Sequence, residues 1–171
     1  IVTAEQAGYD LLPANGDLTA AEVELLEMKM KEHRLQYALA EVKQNYDYIF
    51  IDCPPSLNML TVNALTAAQS IFIPMQCEYY ALEGLAALLE TIAEIQKVVN
   101  PKLEIGGLLR TMYDPRNTLT NDVSDQLKHH FAEKVYSAVI PRNVRLAEAP
   151  SYGLPALRYD KASTGAKSYL A

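Results

Sequence analysis

Short apolar runs rich in β-branched residues alternate with stretches of helical periodicity along this sequence of 171 residues. The run Tyr48–Ile51 is typical of a strand buried on both faces of a parallel sheet. A helix is expected over about Leu57–Gln69, followed by a second buried strand at Ile71–Ile73 that Pro74 ends. Because helices that connect parallel strands cover the faces of the sheet, the alternation predicts an α/β fold with a parallel-rich, doubly wound sheet and helices on both faces.

The other predicted elements follow the same rule. Thr19 and Glu22 have the spacing of a capping box, and one long amphipathic helix is expected over Ala20–Asn45. The remaining predictions are helices over Ala81–Asn100 and Asp122–Phe131, strands over Ile105–Met112 and Val135–Ile140, a loop over Pro141–Ser163 and the start of a last helix. No repeat, linker or low-complexity tract interrupts the pattern, which favours a single α/β domain over residues 1–171.

Composition excludes several classes of protein. Hydrophobic residues make up 50% of the chain and charged residues 21%, which indicates a packed core and excludes wholesale disorder. No apolar run reaches the roughly 20 residues that span a bilayer. The three histidines lack metal-ligand spacing, which excludes a zinc enzyme. Two cysteines, Cys53 and Cys77, do not form a disulfide framework and favour a reducing cytoplasm.

The net charge of −6 is unevenly distributed. Residues 1–100 hold 5 basic and 14 acidic residues, whereas residues 101–171 hold 10 basic and 7 acidic residues. The acidic total argues against a dedicated nucleic-acid module, but a local basic face in the second part stays possible. The polar face of the Ala20–Asn45 helix is acidic, so anionic lipid would repel it and a membrane-anchor role is not expected.

Asp52 stands where the first apolar run ends. Ligands of open α/β sheets bind at the carboxyl ends of strands, and a carboxylate at such an end holds Mg²⁺ against nucleotide phosphates in a Walker B position. Aspartate followed by proline is also typical of an ordinary turn. The residues Ile49–Asp52 by themselves leave both interpretations open.

The longer segment around Asp52 resembles a known family. Residues 46–57 (YDYIFIDCPPSL) are similar to the Walker B segment of ParA/Soj-type chromosome- and plasmid-partitioning ATPases. The resemblance continues, in order, through residues 74–84 (PMQCEYYALEG), 111–116 (TMYDPR) and 140–153 (IPRNVRLAEAPSYG), and it covers essentially the whole chain. It implies a P-loop NTPase-like fold of the deviant Walker A group.

The resemblance also implies a function. ATP and Mg²⁺ would be the cofactors, an ATP-bound sandwich homodimer would bind DNA without sequence preference, and a ParB-type partner would stimulate hydrolysis in a cytoplasmic, nucleoid-associated protein without membrane contact. The glycine-rich phosphate loop of the family is absent from the sequence and is expected to precede Ile1. The chain alone is therefore expected to bind ATP weakly, to hydrolyse none and to expose apolar flanks that promote association.

Two alternatives stay open. One is a MinD-like, membrane-cycling ATPase, although no C-terminal amphipathic membrane helix is visible in the sequence. The other is a non-enzymatic homologue that acts as a scaffold or regulatory module.

Roles for individual residues follow from the resemblance. Asp52 would be the catalytic Walker B carboxylate and would reach Mg²⁺ through water, with Pro54 and Pro55 stiffening the segment after it. Met112, Pro141 and Asn143 would lie around the adenine at a common rim of the sheet.

The basic residues of the matched segments are the candidates for DNA contact. Arg116 and Arg145 would bind phosphates of the DNA backbone, and Lys161 and Lys167 would extend the basic patch. The residues expected near the dimer interface are Gln76 and Glu78.

Overall fold

A computed structural model describes residues 1–54 and 56–171. Its α-helices are α1 Asp17–Leu26, α2 Arg34–Ala40, α3 Met59–Ala67, α4 Tyr79–Val98, α5 Thr118–Phe131, α6 Val144–Glu148, α7 Ala156–Tyr159 and α8 Thr164–Ser168. Its strands are β1 Val2–Ala4, β2 Tyr9–Leu11, β3 Ser70–Gln76, β4 Glu104–Tyr113 and β5 Val135–Pro141. Short 3₁₀ turns cover Lys31–His33, Lys43–Asn45, Ala132–Lys134 and Ala149–Tyr152.

The predicted α/β class is confirmed. Strands β3, β4 and β5 form a sheet in that order, and β4 runs parallel to β5 with Leu108 opposite Val135 and Tyr113 opposite Pro141. The six elements from α3 to β5 overlap their predicted ranges within a few residues. An antiparallel hairpin of β1 and β2, which the sequence pattern did not predict, pairs Val2 with Leu11.

The described residues divide into two compact units. The first contains Ile1–Pro13, Phe72–Gly84 and Gly106–Ala171, and the second contains Ala14–Ile71 and Leu85–Ile105. Each unit contains buried apolar side chains. The buried side chains of the first include Ile73, Met75, Leu108, Leu109, Val123, Leu127 and Ile140, and those of the second include Ala64, Leu65, Ile92, Ile95 and Leu103.

The strand predicted at Tyr48–Ile51 is wrong for this structure. The segment is irregular, and the side chains of Tyr48 and Phe50 are 81% and 87% exposed. A strand needs hydrogen bonds from a neighbouring strand, and no strand among residues 1–54 and 56–171 pairs with this segment. The apolar pattern of this segment is that of a strand buried in a sheet. The described residues supply no partner strand for it.

The single helix predicted over Ala20–Asn45 is also wrong. The chain forms α1 and α2 with an interruption at Met30, whose φ of 54° is left-handed and cannot continue an α-helix. The start differs as well, because Asn15 Oδ1 accepts the backbone N–H of Asp17 at 2.9 Å. Thr19 therefore lies inside α1 and does not cap it.

Two further predictions need correction. Pro74 does not end β3, because β3 lies at an edge of the described sheet, where a residue without a backbone N–H is tolerated. The segment Pro141–Ser163 is not a plain loop, since α6, a 3₁₀ turn and α7 form within it. Asn143 starts α6 by accepting the backbone N–H groups of Arg145 and Leu146 at 2.9 and 3.4 Å.

Candidate functional site at the ends of β4 and β5

The carboxyl ends of β4 and β5 lie side by side. Tyr113 is the last residue of β4 and stands opposite Pro141, the last residue of β5. The predicted common rim is thereby confirmed. The two segments that follow border a cleft of about 450 Å³, lined by Tyr113, Asp114, Pro115, Arg116, Pro141, Arg142 and Val144.

An ion pair forms in the segment after β4. The carboxylate oxygens of Asp114 accept hydrogen bonds from Nε and an Nη atom of Arg116 at 2.9 and 2.8 Å, and Oδ1 also accepts the backbone N–H of Arg116 at 3.1 Å. This is a bidentate contact, in which two N–H groups of the guanidinium donate to the two carboxylate oxygens. The hydrogen bonds from Arg116 lower the pKa of Asp114 from 3.8 to about 2, and the charge of Arg142 acts in the same direction. The charge of Arg116 is therefore balanced locally.

The same segment is tied to α5 through side chains. The hydroxyl of Tyr113 donates to Oδ1 of Asn121 at 2.8 Å, and Nδ2 of Asn121 donates to the carbonyl of Pro115 at 2.9 Å. Asn117 caps α5 by accepting the N–H of Leu119 at 3.0 Å. The bonds of Asn121 therefore tie the segment that contains Asp114 to α5.

A buried arginine, Arg110, lies under this segment. Its side chain donates to Ser124 Oγ at 2.9 Å and to the carbonyls of Tyr136 and Ser137 at 2.8 and 3.1 Å, and its guanidinium lies 5.8 Å from the ring centre of Tyr113. Arg110 is only 5% exposed, and its Nε has no hydrogen-bond partner in the described chain. The sequence analysis counted Arg110 among the basic residues of 101–171 and did not predict its burial. Its position within the apolar strand predicted over Ile105–Met112 could have indicated that it is buried.

Arg145 on α6 is also paired. An Nη atom of Arg145 donates to Oε2 of Glu148 at 2.9 Å, and its Nε lies 3.5 Å from a carboxylate oxygen of Asp160. Glu148 also accepts the hydroxyl of Tyr159 at 3.1 Å. The contact with Glu148 is the main cause of the raised pKa of Arg145. Two carboxylates thus surround the single charge of Arg145.

The predicted nucleotide residues are only partly brought together. Pro141 lines the cleft, whereas Met112 and Asn143 are not among its lining residues. Met112 lies one residue before the end of β4 with a left-handed φ of 52°. The side-chain oxygen of Asn143 is occupied by the cap of α6. Their proposed contacts with adenine stay predictions.

The predicted DNA-binding arginines lie on the surface of the first unit. The side chains of Arg116 and Arg145 are 88% and 53% exposed, although each is paired with carboxylates. Lys161 and Lys167 are exposed in the segment after α7 and on α8. Sequence reasoning did not select Arg142, which is exposed, lines the cleft and has no side-chain hydrogen bond or ion pair within the described part of the chain.

Asp52 belongs to the second unit and is exposed in the irregular segment after Ile51. Among residues 1–54 and 56–171, no group of three or more His, Cys, Asp or Glu side chains is placed to hold a metal ion. Gln76 ends β3 and Glu78 precedes α4, both exposed. Pro54 is exposed as well, and Pro55 lies outside the described residues.

The search for a membrane span is negative in the described ranges, because none of their helices combines the length and the apolar character needed to cross a bilayer.

Comparison with known proteins places these features in context. Residues 1–105 match the model of a family described as AAA domain. A protein of Pseudomonas putida strain KT2440, named only as uncharacterized, is 66% identical over 168 residues, or 98% of this chain and 64% of that protein. The sporulation initiation inhibitor protein Soj of Bacillus subtilis is 56% identical over 94% of this chain, and the chromosome partitioning protein ParA of Caulobacter vibrioides is 50% identical over 99%. The chain spans 64% of the length of each of these three relatives.

A solved structure shares the fold. The crystal structure of cobyrinic acid a,c-diamide synthase from Mycobacterium smegmatis, with a bound ATP analog and magnesium, aligns with a TM-score of 0.82 at 39% identity. The alignment covers 99% of this chain and 62% of that chain.

Proposed function

This chain belongs to the AAA domain family and is of the ParA/Soj type, and from that premise we propose that it is part of an ATPase that partitions DNA. In the proposed cycle, the ATP-bound protein forms a homodimer that binds DNA without sequence preference, and a ParB-type partner stimulates hydrolysis. We assign the activity to the whole protein, because residues 1–171 contain no glycine-rich phosphate loop of this family. The proposed location is the cytoplasm, in association with the nucleoid.

The observation that carries the proposal is the rim formed by β4 and β5. Two segments that resemble partitioning ATPases in sequence end next to each other, at Tyr113 and Pro141. Arg116 and Arg142 of these segments line one cleft. Arg145 lies on α6, the helix that follows β5 in the chain. Exposed arginines on short segments suit contact with phosphates, which needs charge but no base-reading helix.

The chain contains side chains suited to binding Mg²⁺ and a nucleotide. Mg²⁺ binds oxygen ligands, keeps several waters and commonly uses only one or two protein carboxylates, so the exposed carboxylate of Asp52 is a suitable donor. The cleft offers the apolar surfaces of Pro115, Pro141 and Val144 for a flat heteroaromatic ring. When bound, Mg²⁺ would offset phosphate charge, and in this proposal Asp52 orients its water shell.

The test uses the whole protein with ATP and a fluorescent DNA duplex of random sequence. Binding is measured by anisotropy at several salt concentrations, and hydrolysis is measured in parallel. We expect Arg116→Glu and Arg145→Glu each to reduce DNA affinity and to flatten its salt dependence. Asp52→Asn is expected to abolish hydrolysis.

A matched control changes charge elsewhere. Lys102 is exposed in the second unit, and Lys102→Glu makes the same change of two charge units. It is expected to leave DNA affinity within about twofold of the parent. An ATP-bound parent protein without measurable DNA affinity, or equal losses in all three variants, would contradict the proposed function.

A further inference from the structure

Arg110, in the middle of β4, is a buried cation without a paired anion. Its side chain is 5% exposed, and no aspartate or glutamate among residues 1–54 and 56–171 forms an ion pair with it. Its hydrogen bonds go to neutral oxygens of α5 and β5. Because burying a cation without an anion costs free energy, packing alone does not account for an arginine at this position.

The pairing of β4 with β5 is irregular where Arg110 lies. Leu108 stands opposite Val135 and Arg110 stands opposite Val139, so β4 has one residue between the two pairs where β5 has three. The guanidinium donates to the carbonyls of two of those three residues of β5, at 2.8 and 3.1 Å. A bulge disrupts the hydrogen bonds between strands locally, and the side chain of Arg110 supplies donors there. Arg110 therefore stabilises the register in which both strands continue to the rim.

Arg110 also contacts the residue that ends β4. Its guanidinium lies 5.8 Å from the ring centre of Tyr113, within the range of a cation–π contact. The hydroxyl of Tyr113 donates to Asn121 on α5, which in turn donates to the carbonyl of Pro115. Arg110 itself donates to Ser124, one helical turn beyond Asn121. The guanidinium and the tyrosine ring therefore fasten β4 to the same face of α5.

We propose that Arg110 is a positioning residue for the cleft at the ends of β4 and β5. It does not line the cleft itself and acts through Tyr113, which does. Tyr113 and the bulge together fix the segment that carries Asp114 and Arg116 relative to Pro141. This role rests on the proposed function in one respect, since the cleft is taken there to bind the base of the nucleotide.

The first measurement needs neither ATP nor DNA. The carboxyl of Asp114 is titrated by NMR in the whole protein, because its pKa of about 2 depends on hydrogen bonds from Arg116 and on the charge of Arg142. Arg110→Met keeps a long, unbranched side chain and removes every hydrogen bond of the guanidinium. We expect this variant to raise the pKa of Asp114 toward 3.8, since a segment that is no longer fixed holds the two arginines less closely.

The second measurement is the dependence of hydrolysis on ATP concentration. Arg110→Met is expected to raise KM for ATP about tenfold and to leave kcat within about threefold, because the cleft would bind the base and not the reacting phosphates. Asn100→Ala is the matched control, since it also removes three side-chain hydrogen bonds but lies in the second unit. It is expected to leave both KM and the pKa of Asp114 unchanged. Urea titrations identify conditions in which all variants are folded.

Two milder variants test the route through Tyr113. Ser124→Ala removes one hydrogen bond of Arg110, and Tyr113→Phe removes the bond to Asn121. Each is expected to raise KM for ATP about threefold. The double variant is expected to raise it by less than the product of the two effects, because both act on one contact between β4 and α5. If Arg110→Met does not fold, Ser124→Ala takes its place in both measurements.

A folded Arg110→Met protein in which the pKa of Asp114 stays at about 2 would overturn the positioning role. An unchanged KM where the parent hydrolyses ATP would overturn it too, as would equal changes in the Asn100→Ala protein. Effects of Ser124→Ala and Tyr113→Phe that multiply in full would show that Arg110 does not act through Tyr113. If the pKa rises as expected but the parent neither hydrolyses ATP nor binds DNA, the partitioning function fails while the positioning role stands.

Discussion

Neutralising Asp114 is expected to strengthen DNA binding by the whole, ATP-bound protein. Asp114 holds Arg116 through two side-chain hydrogen bonds of 2.8 and 2.9 Å, and a DNA phosphate must compete with this carboxylate for the same guanidinium. Asparagine has the same size as aspartate and keeps a side-chain oxygen. In the parent protein, Oδ1 of Asp114 accepts the backbone N–H of Arg116 at 3.1 Å, and the oxygen of the Asp114→Asn side chain can accept the same bond. The substitution therefore removes the competing charge while it preserves the local turn.

The magnitude follows from counting charges at the rim. Arg116 and Asp114 cancel each other, so the pair presents no net charge to DNA. Releasing Arg116 for one phosphate steepens the slope of log affinity against log salt by about 0.9. If the parent and the variant bind equally at 1 M salt, this slope corresponds to an affinity about 8-fold higher for the variant at 0.1 M.

The assay is a salt titration of anisotropy with a random-sequence duplex. Asp125→Asn is the matched control, because Asp125 is an exposed aspartate that pairs with Lys128 at 3.2 Å on α5. It removes one negative charge without touching Arg116, and it is expected to change affinity less than twofold. Adding Arg116→Gln to Asp114→Asn is expected to cancel the gain.

An unchanged or weaker affinity of the Asp114→Asn protein would refute this reasoning. Weaker binding in particular would mean that Asp114 positions Arg116 for the phosphate and does not compete with it.

Three further predictions concern stability and titration. Asn100 donates from Nδ2 to the carbonyls of Leu65, Thr66 and Ala68 at 2.9, 3.2 and 2.8 Å. Asn100→Ala is therefore expected to lower the free energy of unfolding, measured by urea titration, by about 1–3 kcal/mol. A decrease below about 0.5 kcal/mol would argue against a stabilising role of these bonds. A Cβ at Gly165 would lie 2.5 Å from Leu146 Cγ and 3.1 Å from Asn143 Cβ, so Gly165→Ala is expected to cost about 1–3 kcal/mol by forcing α8 away from α6. Its control, Gly84→Ala, meets no atom within 4 Å and lies in α4, so thermal unfolding should show no loss. The Asp114 carboxyl is expected to titrate by NMR with a pKa of about 2, and Arg116→Gln should return this pKa toward 3.8. Because the folded pKa lies below the ordinary value, the ion pair stabilises the fold above about pH 4 and ceases to do so as the pH falls through 2; a pKa near 3.8 in the parent would disprove the pairing.

Local pattern was sufficient for much of the fold. The elements from α3 to β5 follow from hydrophobic periodicity, whereas the caps that start α3 and α5, Asn58 and Asn117, were not predicted. The rim at Tyr113 and Pro141 was predictable too, since adjacent parallel strands end at the same edge of a sheet. Asp52, Arg116 and Arg145 were selected from segments whose sequence resembles one family.

Other features depend on contacts between residues distant in the chain. Tyr48–Ile51 has the composition of a strand, but a strand forms only where another strand supplies its hydrogen bonds. The burial of Arg110 depends on Ser124 and on two carbonyls of β5, none of which is its neighbour in sequence.

The sequence by itself determined the fold class and the family and selected Arg116 and Arg145 as candidates, because each is encoded in local periodicity or in ordered motifs. Only the tertiary structure decided which residues distant in the chain those arginines contact. Arg116 lies against a carboxylate two residues away, while Arg145 also approaches Asp160, which follows α7. Electrostatic pairing depends on distances of a few ångströms, and the fold sets those distances once the chain has brought separate segments together.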